Sequence, residues 1–145
     1  MTCELCHKNP EQALWHNDKL FIIEANEPLF PGFLRVIWKD HVAEVSDLSE
    51  QDRLHLFQVL NIIECVMRET MTPDKINWAQ FGNMVPHLHW HIIPRYKDDS
   101  HFPESVWGTQ QRLVNEDMLQ QRKILATRLI QALPIRLTKE FEHQK

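Results

Sequence analysis

Pro86-His87-Leu88-His89-Trp90-His91-Ile92-Ile93-Pro94-Arg95-Tyr96 gathers three of the chain's nine histidines into five residues. Alternate side chains of an extended strand share a face. The segment therefore predicts one central strand with His87, His89 and His91 side by side and Leu88, Trp90 and Ile92 turned into an opposing apolar layer. Three imidazoles in phase point to chemistry rather than to packing. A straight strand rises about 3.3 Å per residue, which sets the Cα atoms of His87 and His91 roughly 13 Å apart. One metal could hold both only if they converged strongly, because zinc needs nitrogens about 2.0–2.1 Å away. A row of donors suits an extended phosphate chain. A neutral imidazole is also a nucleophile when its second nitrogen is fixed by a backbone carbonyl.

Upstream of this segment, Ala13-Leu14-Trp15 and Leu20-Phe21-Ile22-Ile23 flank His16-Asn17-Asp18-Lys19, which reads as a hairpin. Pro28 and Pro31-Gly32 punctuate the chain before the β-rich run Phe33-Leu34-Arg35-Val36-Ile37-Trp38. Ser49 is a helix cap, and over residues 50–69 Leu56, Leu60, Ile63 and Met67 recur at helical spacing. Phe57, Val59, Cys65 and Val66 widen that apolar face, which predicts a helix covering a sheet with Cys65 as a small buried residue. A strand is expected over residues 75–80 and a turn at Phe81-Gly82-Asn83. A second long helix is expected over residues 116–133, capped by Asn115, with Met118, Leu125, Leu129 and Leu133 on its inner side. Pro134 should end it, and Ile135 and Leu137 are then free to add a short strand.

The chain has 145 residues, 43% of them apolar and 25% charged, which fits one domain over residues 1–145 and excludes disordered or collagen-like classes. Sixteen basic against 20 acidic residues, with no block of Lys or Arg, argue against a nonspecific nucleic-acid grip. The start, Met1 to Pro10, does not read as a signal peptide, and no 18-residue apolar run offers a membrane span, so cytoplasm is the expectation. Three cysteines, two of them in Cys3-x-x-Cys6, read as reduced thiols, with that pair spaced for a metal. His55 is expected on the polar side of its helix or as a satisfied core group. His101 is read as a surface residue or a neighbour of the site. Trp107-Gly108 reads as a turn or a subunit contact, and Arg95, directly after the histidines, as a group that faces phosphate or forms an ordinary salt bridge.

The His-x-His-x-His run followed by apolar residues resembles the signature of the histidine-triad family. The likeness continues through Asn26-Glu27-Pro28-Leu29-Phe30-Pro31-Gly32-Phe33-Leu34-Arg35-Val36, Lys39-Asp40-His41-Val42 and Gly82-Asn83-Met84-Val85-Pro86, and covers about residues 3 to 96. It implies an α+β fold, an antiparallel sheet packed against two main helices. It further implies a two-fold homodimer and a nucleotide hydrolase cleaving dinucleoside polyphosphates or nucleoside phosphoramidates. His89 would attack the α-phosphorus, forming a nucleotidyl-imidazole that water resolves, with His87 and His91 bracketing the phosphate. Asn83 and Asn77 match or neighbour nucleotide-contacting positions of the family. Asn26 lies beside the position that touches ribose, which in this chain is Ala25, and Phe33 stands where a polar residue is common. The resemblance also implies a structural zinc on Cys3, Cys6, His41 and His87, with His7 as a competing ligand. No catalytic metal is required, although magnesium can arrive with a polyphosphate substrate. A nucleotidyl transferase, a noncatalytic nucleotide sensor and a metal-dependent hydrolase are the alternatives.

Overall fold

The computed structural model describes residues 3–142. Short runs rich in β-branched and aromatic residues build β1 (Trp15–His16), β2 (Leu20–Glu24), β3 (Leu34–Trp38), β4 (Lys75–Ala79) and β5 (His89–Arg95). The two long helices are α1 (Glu50–Met71) and α2 (Glu116–Phe141). All neighbouring strands are antiparallel, in the order β1-β2-β3-β5-β4, so β5 lies inside the sheet and β4 forms an edge. The β1–β2 hairpin and the antiparallel α+β arrangement match the reading of the sequence.

The period of two divides the sheet into faces with different work. Leu20, Ile22, Leu34, Val36, Trp38, Leu88, Ile92 and Ile76 enter the main core together with Leu56, Leu60, Ile63 and Met67 of α1 and Leu129, Leu133 and Leu137 of α2. Each fully buried aliphatic side chain contributes roughly 1.5–3 kcal/mol of transfer free energy, so this face secures the sheet. The opposite face carries His89, His91, Arg35 and Ile37, flanked by a small apolar cluster around Phe21 and Leu5 and another around Phe30, Phe33 and Ile93.

Helix α1 starts where the Ser49 hydroxyl accepts the Asp52 N–H at 3.1 Å, and it ends at Thr72 in the left-handed region (φ 44°). Gly32 (φ +87°) lies against that end. A Cβ there would come within 2.5 Å of Met71 Sδ, so glycine is required for both conformation and space. Cys65 is exposed, contrary to expectation. It stands two residues, about 200° of helix rotation, from buried Ile63.

Helix α2 is longer than expected and runs through Pro134 to Phe141, so Ile135 and Leu137 are helical and form no strand. Leu129, Leu133 and Leu137 recur every four residues and all face α1. Burial of that stripe outweighs the single backbone donor that Pro134 removes. No helix among the described residues is long and apolar enough to cross a membrane.

Candidate functional site

The histidine run does not form a single strand. β5 begins at His89, because β3 ends at Trp38 and the last ladder pair is Ile37 with His89. Before that pair, the Leu88 N–H donates to the Val42 carbonyl at 2.7 Å and the His87 N–H to the Val85 carbonyl at 2.8 Å, which bends the chain away. Leu88 and Trp90 still pack behind, as expected. The three imidazoles are therefore divided between two places, and the arrangement of all three around one catalytic metal, which a metal-dependent hydrolase would need, is not what the fold builds.

His87 turns into a corner with the N-terminal segment. Its ring is 1% exposed, and its Nε2–H donates to the Trp38 carbonyl at 2.5 Å. That bond leaves Nδ1 to face three other donor atoms. His87 Nδ1 lies 3.4 Å from both Cys3 Sγ and Cys6 Sγ and 3.2 Å from His41 Nδ1, while Cys6 Sγ lies 3.3 Å from His41 Nδ1. All four donor atoms fall within 4.8 Å of one another. A tetrahedral zinc with Zn–S near 2.3 Å and Zn–N near 2.05 Å would separate its sulfur and nitrogen ligands by about 3.5 Å and its two nitrogens by about 3.3 Å. The donor set therefore fits zinc in both kind and spacing, and Trp38 supplies the outer bond that sets the His87 tautomer. His7 is exposed and belongs to no such group among the described residues.

His89 and His91 remain on the open face of the sheet, their ring centroids 5.1 Å apart. His89 Nδ1–H donates to the His87 carbonyl at 2.6 Å. That leaves the Nε2 lone pair of a half-buried imidazole unblocked. His91 is 6% exposed, and its Nδ1 is buried without a hydrogen-bond partner among the described residues. Burial, then the neighbouring His89, then Arg35 pull its pKa down to about 4, so it is uncharged at neutral pH. The indole of Trp107 covers it edge-on, centroid to centroid 5.0 Å, with Phe33 at 5.6 Å and Phe81 at 6.4 Å.

The flanking residues separate in the same way. Arg95 does not face open solvent. It is 2% exposed and donates to Asp99 Oδ2 at 2.8 Å, Asp99 Oδ1 at 3.0 Å, Asn77 Oδ1 at 2.9 Å and the Glu104 carbonyl at 2.8 Å. Asn77 thus meets Arg95, not the histidine pair. Asn26 (φ 57°) lines a hollow of about 290 Å³ with Gly32, Lys123 and Thr127, between its loop and α2. Asn83 is exposed in the turn that leads to the histidines. His101 is buried against Phe30, with Ser100 Oγ 2.7 Å from its Nδ1, and His55 bonds Asn17 at 2.8 Å.

Two neighbours of the histidine pair were not singled out from the sequence, Arg35 for this place and Trp107 as the cover of His91. Arg35 had a signal, as the one charged residue inside an otherwise apolar strand run. Trp107 had none, because it comes from an irregular loop with no period to read.

A five-stranded antiparallel sheet, two helices on one face and a tautomer-fixed histidine on the other define an α+β protein of the histidine-triad class. The chain belongs to the HIT domain family, which matches residues 7–98. A histidine triad protein from Marinobacter aquaeolei VT8 has the same fold, with TM-score 0.66 and 27% identity, over 84% of this chain and 90% of that one. A bis(5'-adenosyl)-triphosphatase of Saccharomyces cerevisiae is 31% identical over 93 residues, 60% of this chain and 45% of the relative. An AP-4-A phosphorylase of Mycobacterium tuberculosis is 26% identical over 106 residues, 69% and 53% respectively. The chain spans about half the length of these two relatives.

Proposed function

We propose that the chain is a nucleotidyl hydrolase that cleaves at the α-phosphate of a dinucleoside polyphosphate or nucleoside phosphoramidate through a nucleotidyl intermediate on His89. The observation that carries the reading is the 2.6 Å bond from His89 Nδ1 to the His87 carbonyl. It commits the imidazole proton to one nitrogen and leaves the other as a nucleophile. His89 Nε2 attacks the α-phosphorus. A P–N bond forms while the bond to the leaving group breaks, and the leaving group departs with the electron pair. Water then attacks phosphorus and gives up a proton to solvent, the P–N bond breaks with its electrons returning to Nε2, and the nucleoside monophosphate is released. Uncharged His91 serves this sequence by donating an N–H to a phosphate oxygen.

The name of the yeast relative supports a dinucleoside polyphosphate as the substrate class, and that of the mycobacterial relative supports phosphate as an alternative acceptor to water. One intermediate serves both outcomes. Zinc is the occupant proposed for the Cys3, Cys6, His41 and His87 corner. Four protein ligands close its shell, so its contribution there is structural. A homodimer is proposed through the open edge of β4, where half-exposed Phe57 of α1 stands 6.4 Å from Trp78 and 5.7 Å from Trp90.

Rapid quenching with a labelled diadenosine polyphosphate, followed by mass mapping, tests the mechanism. Wild type should carry adenylate on His89, and His89→Ala should carry none and turn over nothing while remaining folded. An adduct on His91, or unchanged turnover in H89A, overturns the assignment.

A further inference from the structure

Two arginines lie on the open face of the sheet, and the fold treats them differently. Arg95, on β5, has a carboxylate of its own in Asp99. Arg35, on β3, is cross-strand partner of Ile23 on one side and His91 on the other, with Phe33 and Ile37 two residues away along its own strand. Among the described residues Arg35 has no ion pair and no side-chain hydrogen bond, and its Nε is buried without any partner. The guanidinium carbon lies 6.0 Å from the Phe33 ring. Arg35 is half-buried, its Nε loses hydration without a hydrogen bond in return, and the Phe33 face offers the guanidinium only a weak cation–π contact and no counter-charge.

Position supplies the missing partner. Directly opposed residues of antiparallel strands stand about 4.5–5.5 Å apart, so Arg35 is one strand spacing from His91. His89 is two residues, about 7 Å, along β5 from His91, next to Ile37. A phosphate chain reacting at His89 and running toward His91 passes beside Arg35.

We propose that Arg35 is a substrate-binding residue whose guanidinium holds a phosphate oxygen of the nucleotide beside His89 and His91. The assignment rests on the nucleotide reading of the site and adds the group that selects phosphorylated over unphosphorylated nucleosides. The planar fork is suited to this, since two parallel N–H groups grip one phosphate at a fixed angle where an ammonium supplies only a point charge. The positive charge also explains in part why His91 stays unprotonated before substrate arrives.

Calorimetric titration of the zinc-replete protein with AMP and with adenosine tests the proposal. Wild type should prefer AMP. Arg35→Met should weaken AMP by roughly ten- to a hundredfold, the loss expected for a charge-assisted bond, with adenosine unchanged and the salt dependence of AMP binding reduced. If R35M does not fold, Arg35→Lys carries the test through a smaller loss confined to AMP. An unchanged ratio of AMP to adenosine affinity, or equal weakening of both, overturns the role of Arg35. Absence of AMP binding by wild type instead overturns the nucleotide reading itself, and the proposal with it.

Discussion

Arg95 and Asp99 form a forked ion pair four residues apart, with both side chains almost wholly removed from solvent. Burial pushes the Asp99 carboxyl up, but the Arg95 bond and the backbone N–H groups of Tyr96, His101 and Phe102 outweigh it and hold the group below the usual carboxylate range. A depressed folded-state pKa stabilises the fold above the unfolded value and is lost as pH falls through the folded one. Asp99→Asn leaves a buried guanidinium without its counter-charge, so urea unfolding at pH 7 should show a loss of about 3–5 kcal/mol. Below the ordinary carboxylate range the gap between wild type and D99N should narrow. A loss under 1 kcal/mol at pH 7 would contradict the role given to this pair.

Elemental analysis of protein purified reduced and without chelator should find about one zinc per chain. Cys3→Ser with Cys6→Ser should abolish it and lower the melting temperature, and chelation of wild type should lower it similarly, because binding free energy of a closed site is folding free energy. A metal-free wild type of unaltered stability would refute a structural zinc.

His91, with its pKa drawn down to about 4, binds fewer protons folded than unfolded between that value and about 6.5. Stability therefore falls as pH drops through this window and is not lost further from this group below it. Burial lowers His55 as well, which adds to the same trend. Denaturation midpoints at pH 7, 5.5 and 4.5 should fall less steeply in His91→Gln than in wild type. Parallel profiles would show that His91 is not the responsible group.

Pro134 interrupts the hydrogen-bond ladder of α2 within a continuous apolar stripe. Pro134→Ala should restore the missing donor and raise stability by about 1–3 kcal/mol in thermal or urea unfolding, with turnover unaltered. Destabilisation would mean that the proline ring is packed more productively than the helix geometry indicates.

What could be read from the sequence was whatever depends on neighbours along the chain. The alternation about His89 and His91, the Ser49 cap and the stripe from Leu56 to Met67 are local periodicities, and they place strands, helices and faces correctly. The cluster of Cys3, Cys6, His41 and His87 was within reach only through family resemblance, because Cys3 and His87 are 84 positions apart. The turn of the His87 ring away from His89 and His91 is not contained in the period of two, being decided by where the segment after Trp38 meets the chain, the Leu88 N–H bonding the Val42 carbonyl. Arg95 left two readings open from the sequence, a phosphate contact or a salt bridge, for a similar reason. Whether an arginine faces solvent or a carboxylate depends on how the next turn folds, and here Asp99 returns to meet it. The run of α2 beyond Pro134 reflects a tertiary surface that local propensity does not contain.

The two faces of the sheet also bear on how this protein can change. On β3 and β5 the even-numbered side chains Leu34, Val36, Trp90 and Ile92 serve the main core, whereas the odd-numbered Arg35, His89 and His91 lie on the opposite face. The backbone acts as a partition between side chains that hold the fold and side chains free to vary without undoing it. A library randomised at positions 35 and 89 should be rich in folded proteins, while one randomised at the even positions should be rich in proteins that never fold at all.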